Sequence, residues 1–153
     1  MIKKILTLVI VFNCMIANAS EISSSKEALL DSFIKAHEAK NYEEISRLIN
    51  WEDVGKHKQK MIRVYTKNNF GREINHTEFE KADTNFLKSF NLGDKKYKSN
   101  LPVTHLMRIY FEEPTKDKKP EYSSVVYLVG EKPEGFQIAV VIKDQPSQAT
   151  AEH

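Results

Sequence analysis

The sequence predicts an α+β protein, with three N-terminal helices packed on a curved antiparallel sheet of about four strands. Three observations carry this. Phe136, Ile138, Val140 and Ile142 alternate with Gln137, Ala139, Val141 and Lys143, the period of a half-buried strand. Residues 102–112 and 121–130 have the same character and lead into it through polar connections. The helical periodicity lies upstream, between Ser24 and Phe70, so those helices have to cover the sheet.

The first residues read as a processing segment. Lys3 and Lys4 precede an apolar run from Ile5 to Phe12, and Ala17-Asn18-Ala19 places small residues at the two positions a signal peptidase reads. Such a run is too short to cross a bilayer, which takes about 20 apolar residues. It predicts a secretory signal peptide over residues 1–19, cut between Ala19 and Ser20. A lipoprotein signal at Cys14 is the alternative, but Val11-Phe12-Asn13 suits that site poorly.

Cleavage would leave 134 of the 153 residues, with 21 basic against 21 acidic side chains and no cysteine. A periplasmic or secreted protein of this kind is held by packing and not by disulfides. Its charge balance gives no global argument for nucleic acid or an anionic membrane as a partner, and no integral membrane segment would remain. Its length fits one domain, residues 20–145, followed by a disordered tail over residues 146–153.

Within that domain, Ser24 and Glu27 have capping-box spacing, and Leu29, Leu30, Phe33, Ile34 and His37 then recur at helical intervals to about Lys40. Asn41 supplies the next cap, after a sharp corner, for a helix with Tyr42, Ile45, Leu48 and Ile49 inside. Trp51 to Gly55 is a bend in which Asp53 could cap the next helix and Trp51 could anchor the corner against the sheet. That third helix, about residues 56–70, carries Met61, Val64 and Tyr65 on one side, and Gly71 ends it.

Residues 75–83 are read as a strand, since a three-stranded sheet would leave two edges close together. Residues 85–100 are polar and read as a loop with a helical turn near residues 86–90; Leu92-Gly93-Asp94 is a turn. Val103, His105, Met107, Ile109 and Phe111 then share one strand face. Residues 113–120 form a solvated connection with a proline near each end. The strand beyond it is apolar on both faces, as a central strand is, and Gly130 to Gly135 turns the chain into the last one, residues 134–143.

The first helix (28–39), the Lys40-Asn41-Tyr42 corner, the entry into the sheet over residues 71–83 and the aromatic-started strand Gly135-Phe136-Gln137-Ile138-Ala139-Val140 resemble small secreted members of the nuclear-transport-factor-two-like, or cystatin-like, superfamily. The resemblance covers most of the chain after the leader. It implies a cone-shaped cystatin-like roll with a pocket between the sheet and the first helix. It implies no activity, because that fold hosts isomerases, dehydratases, carriers and oligomerisation modules.

Inward polar groups in that layout nominate His37, Trp51, Tyr65, His105 and Tyr127 as lining a ligand pocket. No two histidines stand at i,i+2 or i,i+4, and five glycines leave little room for phosphate-cradling loops. No metal site, catalytic group or cofactor is therefore nominated. An isomerase or dehydratase reading would need a carboxylate beside a tyrosine in a deep cleft, for which Asp83 with Tyr65 or Tyr127 could be tried. Lys56, Lys60, Arg63 and Lys67 draw a basic stripe along the third helix, a face for an acidic partner. The sequence thus points to an exported, non-catalytic module that binds a small molecule or a protein. A homodimer through the open sheet would bury Tyr110, Tyr122 and Val141.

Overall fold

Ser25 starts the first helix, α1 (Lys26–Glu38), in the computed structural model, which describes residues 21–83, 85–111 and 124–144. The cap is one residue later than the capping box predicts: Ser25 Oγ, not Ser24, accepts from the Ala28 amide at 3.0 Å. Glu27 consequently falls in the first turn, where its charge suits the helix dipole, and it pairs with Lys26.

The sharp corner after α1 is a Schellman turn. Lys40 adopts a left-handed φ of 53°, the Asn41 amide donates to Ala36 O at 2.8 Å, and the Lys40 amide donates to His37 O at 2.9 Å. Asn41 then caps α2 (Tyr42–Arg47), accepting from the amides of Glu43 and Glu44 at 3.1 and 3.3 Å. Trp51 pins the next bend by donating from Nε1 to Ser46 O at 2.8 Å. Asp53 does not cap α3 (Lys56–Asn69); it takes a φ of 58° within the turn, and Gly55 is the cap, with no side-chain hydrogen bond. Gly71, at φ 93°, turns the chain away after α3.

Residues 75–83 do form a strand, β1 (Ile74–Lys81). It is the outer member of a four-stranded antiparallel sheet of order β1-β4-β5-β6, built with β4 (Val103–Phe111), β5 (Ser124–Lys132) and β6 (Gly135–Ala139). β5 is an interior strand, as its two apolar faces require. The loop expected over residues 85–100 is instead largely a hairpin. Here β2 (Phe90–Leu92) pairs with β3 (Lys95–Ser99) around Gly93-Asp94, where Gly93 supplies a φ of 59°.

The last predicted strand also divides. Its end, β7 (Val141–Lys143), leaves β5 and pairs with β3, giving a second sheet of order β2-β3-β7. The break is held by Asn100. Its Oδ1 accepts from the Val140 amide at 2.8 Å, its own amide donates to Val140 O at 2.9 Å, and its Nδ2 donates to Asn50 O and Glu52 O at 2.8 and 2.9 Å.

The core collects Leu29 and Phe33 of α1, Ile45, Leu48 and Ile49 from α2 and its exit, Met107, Ile109 and Phe111 of β4, and Val125 and Val129 of β5. Ile138, Val140 and Ile142 join it from the C-terminal alternation, with Phe136 packed at its edge. Val103 departs from the expected face because a register shift separates it from His105. It enters a second cluster with Leu101 and Ala139. The predicted leader with Cys14, the connection over residues 113–120, Tyr122 and the tail over residues 146–153 lie outside the described residues. Among the described residues no helix is long and apolar enough to cross a membrane.

A groove and a basic cleft flank the third helix

The predicted phase of α3 is reversed. Met61, Val64 and Tyr65 are 58, 52 and 54 % exposed, while Thr66 and Asn69 are buried and Ile62 packs against the core. The inward polar groups are satisfied locally: Asn69 Nδ2 donates to Tyr65 O at 3.0 Å and its Oδ1 accepts from Arg72 Nη1 at 3.0 Å. Helical geometry fixed the spacing correctly, but hydrophobicity chose the wrong side.

On one flank of α3 lies an apolar groove of about 380 Å³. It exists because the chain swings away at Val140, so β6 pairs with β5 only from Leu128 to Lys132 and the start of β5 has no partner on that side among the described residues. Met61, Ile62 and Tyr65 form one wall, and Val126, Leu128 and Val141 contribute to the other. Lys58 stands at its margin, donating from Nζ to Val141 O, and burial holds its ammonium below the usual lysine range. Tyr127 reaches from the core, where its ring lies 4.8 Å from that of Phe33, into the groove. Burial, and then the neighbouring Tyr65 phenol, raise its pKa well above the ordinary tyrosine value.

Of the five nominated pocket residues, the structure brings Tyr65 and Tyr127 together in this groove. The other three stand apart. His37 is 4 % exposed and ringed by Phe33, Phe70 and Phe111, with centroids 6.1, 5.7 and 5.4 Å away. Its Nε2 lies 3.0 Å from Arg72 O, and since a carbonyl only accepts, that nitrogen carries the proton. His105 is half-buried, with Nδ1 3.1 Å from Thr104 Oγ1 and its ring near Phe79 and Phe136. The space expected between the first helix and the sheet is filled by Leu29 and Phe33, both 0 % exposed.

Trp51 belongs to a cleft on the opposite flank, about 470 Å³ in volume, between α2 and α3. Lys56, Lys60 and Arg63 of the predicted stripe line it together with Arg47. Lys67, the fourth residue of the stripe, does not line it but lies over the Tyr42 ring, 5.8 Å from the centroid, beside Arg63 at 5.2 Å. Glu43 sits 3.5 Å from Arg63, and Glu44 accepts from Arg47 at 3.1 Å, both pairs partly in solvent. Sequence spacing could not have found Arg47, because it comes from another helix.

Among the described residues neither a carboxylate nor a histidine lines the groove. Asp83, nominated for acid–base work, is exposed and caps a turn by accepting from the Asn85 amide at 2.8 Å. Among the described residues no three His, Cys, Asp or Glu side chains gather as a metal site. Tyr110, named for a dimer face, bonds Glu78 across β1 and β4, and Val141 lies in the groove. No protein-family model matches the chain, and no curated protein matches it.

Proposed function

We propose that the protein is an exported, non-catalytic binding module of the cystatin-like roll type, and that its ligand is a small amphiphile: an apolar chain with an anionic head. The observation that carries this reading is the groove beside α3, whose walls are apolar side chains with a partly desolvated ammonium at the margin. An apolar chain would cover Met61, Tyr65 and Val126, which are 58, 54 and 40 % exposed without it. A carboxylate or sulfate head near Lys58 would offset the desolvation of that cation. The signal peptide that the sequence predicts over residues 1–19 supports a periplasmic or secreted setting. The isomerase alternative, which needs a carboxylate or histidine beside a tyrosine, finds neither among the described residues of the groove.

The test is displacement of a fluorescent apolar probe from the purified protein by dodecanoate, dodecanol and dodecyltrimethylammonium. Dodecanoate is expected to compete best and the cationic surfactant worst. Lys58→Met should weaken dodecanoate while leaving dodecanol unchanged, and Val126→Asp should abolish both. Equal binding of all three, or undiminished binding by Val126→Asp, would refute the proposed site.

A further inference from the structure

We propose a second interaction surface: the outward side of α3 seats the protein on an anionic lipid surface. The helix Lys56–Asn69 contains Lys56, Lys58, Lys60, Arg63 and Lys67 and not one acid, whereas the rest of the chain has more acids than bases. Around the helix axis, Val64, Met61 and Tyr65 span an arc of about 100° at 3.6 residues per turn. Those three are the exposed apolar residues of the helix. Lys60, Lys67, Lys56 and Arg63 succeed one another around the helix beside that arc, and Lys58 bounds it on the other side. Val126 carries the apolar surface on past Met61 and Tyr65.

An aqueous helix places its apolar arc inward, as α1 does with Leu29, Phe33 and Ala36. α3 does the reverse, burying Thr66 and Asn69. An outward apolar arc beside a row of cations matches the boundary of an anionic bilayer. There the arc enters the acyl margin and the long basic side chains reach back to phosphates. The cleft between α2 and α3 extends this match, since Arg47, Lys56, Lys60 and Arg63 converge there on a volume of about 470 Å³. Among the described residues the one acid lining that cleft, Glu43, is already engaged with Arg63. A phosphate group is the shared chemistry, whether carried by a bilayer headgroup or free in solution; the outward apolar arc selects the bilayer.

The surface does not rest on the ligand of the neighbouring groove, and residues that line only one of the two tell them apart. Val64, Lys56 and Lys60 do not line the groove. The purified protein is spun with vesicles of phosphatidylcholine, with and without phosphatidylglycerol. Trp51, the single tryptophan, lines the cleft and serves as a fluorescence reporter.

Binding is expected to the phosphatidylglycerol vesicles at about 0.1 M salt, at least about tenfold weaker to phosphatidylcholine alone, and lost in about 1 M salt. Val64→Glu and the Lys56→Glu/Lys60→Glu pair, whose residues lie outside the groove, should each weaken it about tenfold while keeping dodecanoate binding and the unfolding midpoint. Equal binding to both vesicle types, or full binding by Val64→Glu, overturns the proposal. Competition by soluble glycerol phosphate at matched phosphate concentration also overturns it, in favour of a cleft that takes the free headgroup.

Discussion

Asn100→Ala should unfold the junction that separates the two sheets. The side chain makes three hydrogen bonds, to the Val140 amide at 2.8 Å, Asn50 O at 2.8 Å and Glu52 O at 2.9 Å. Glu52 is exposed and water replaces that bond at little cost. Val140 and Asn50 are 7 and 4 % exposed, so their backbone groups would be left without a partner. A buried polar group stranded in this way costs about 1–3 kcal/mol. Two of them, with some relaxation, place the loss at about 2–4 kcal/mol, read as a lower urea midpoint at unchanged slope.

Asn100→Asp adds a pH signature to the same loss. It keeps an acceptor for Val140 but turns a carboxylate toward two carbonyl oxygens, raising its own pKa in the folded state. A carboxyl with a raised folded pKa binds more protons folded than unfolded, so stability falls as pH rises through the carboxylate range. The variant should therefore be weakest relative to the parent at neutral pH and recover below about pH 4, where the protonated group donates again. A loss under about 0.5 kcal/mol for Asn100→Ala would show that the strand break is held by something else.

Two further perturbations probe other joints of the fold. Gly135 has a φ of 143°, and a Cβ there would stand 2.2 Å from Ser23 O and 3.0 Å from Ile22 Cγ2. Backbone is in the way, not a side chain that can swing, so Gly135→Ala should cost about 3 kcal/mol or more and expose the Phe136 amide, now bonded to Ser23 O at 2.8 Å, to hydrogen exchange; parental exchange and stability would contradict this. Burial raises the Tyr127 pKa above its ordinary 10.0, so above that pH the unfolded chain gives up a proton the folded one keeps. Folded-state stability then falls with rising pH, and Tyr127→Phe should flatten that alkaline loss in urea titrations; an unchanged slope would mean the phenol does not remain protonated in the fold.

The sequence discloses those elements that are buried on one side. Ile138, Val140 and Ile142 alternate because one side of their strand meets the core, and β1 could be inferred from the need to cover an edge. β2 and β3 gave no such signal. In Lys95-Lys96-Tyr97-Lys98-Ser99 three of the five side chains are partly sheltered, and Tyr97 finds its partner in Phe90, 5.7 Å away by ring centroid. A strand that buries so little leaves no hydrophobic period to read. The division at Val140 was hidden for a different reason. Both sides of the break keep the same alternation, and the residue that enforces it, Asn100, is forty positions away. The groove is a product of that break, so its site was legible only in part, through Tyr65 and Tyr127.

α3 is where local rules and the observed fold conflict most. α1 and α2 have side-chain caps, acids in the first turn and apolar faces turned inward. α3 begins at a glycine without a side-chain cap and puts Lys56 and Lys58 in the first turn, against the dipole. It then buries Thr66 and Asn69 while leaving Met61, Val64 and Tyr65 in water. Each choice costs the isolated fold something, and none is needed to close the core, which α1, α2 and the strands fill with Leu29, Phe33, Ile45 and Met107. Conflicts between local and global preference that gather in one element are expected where a surface serves something other than folding. The groove and the basic cleft lie on the two flanks of that same helix and Val64 stands between them on its outward side, so the proposed ligand and lipid surface would together offset the costs that α3 carries.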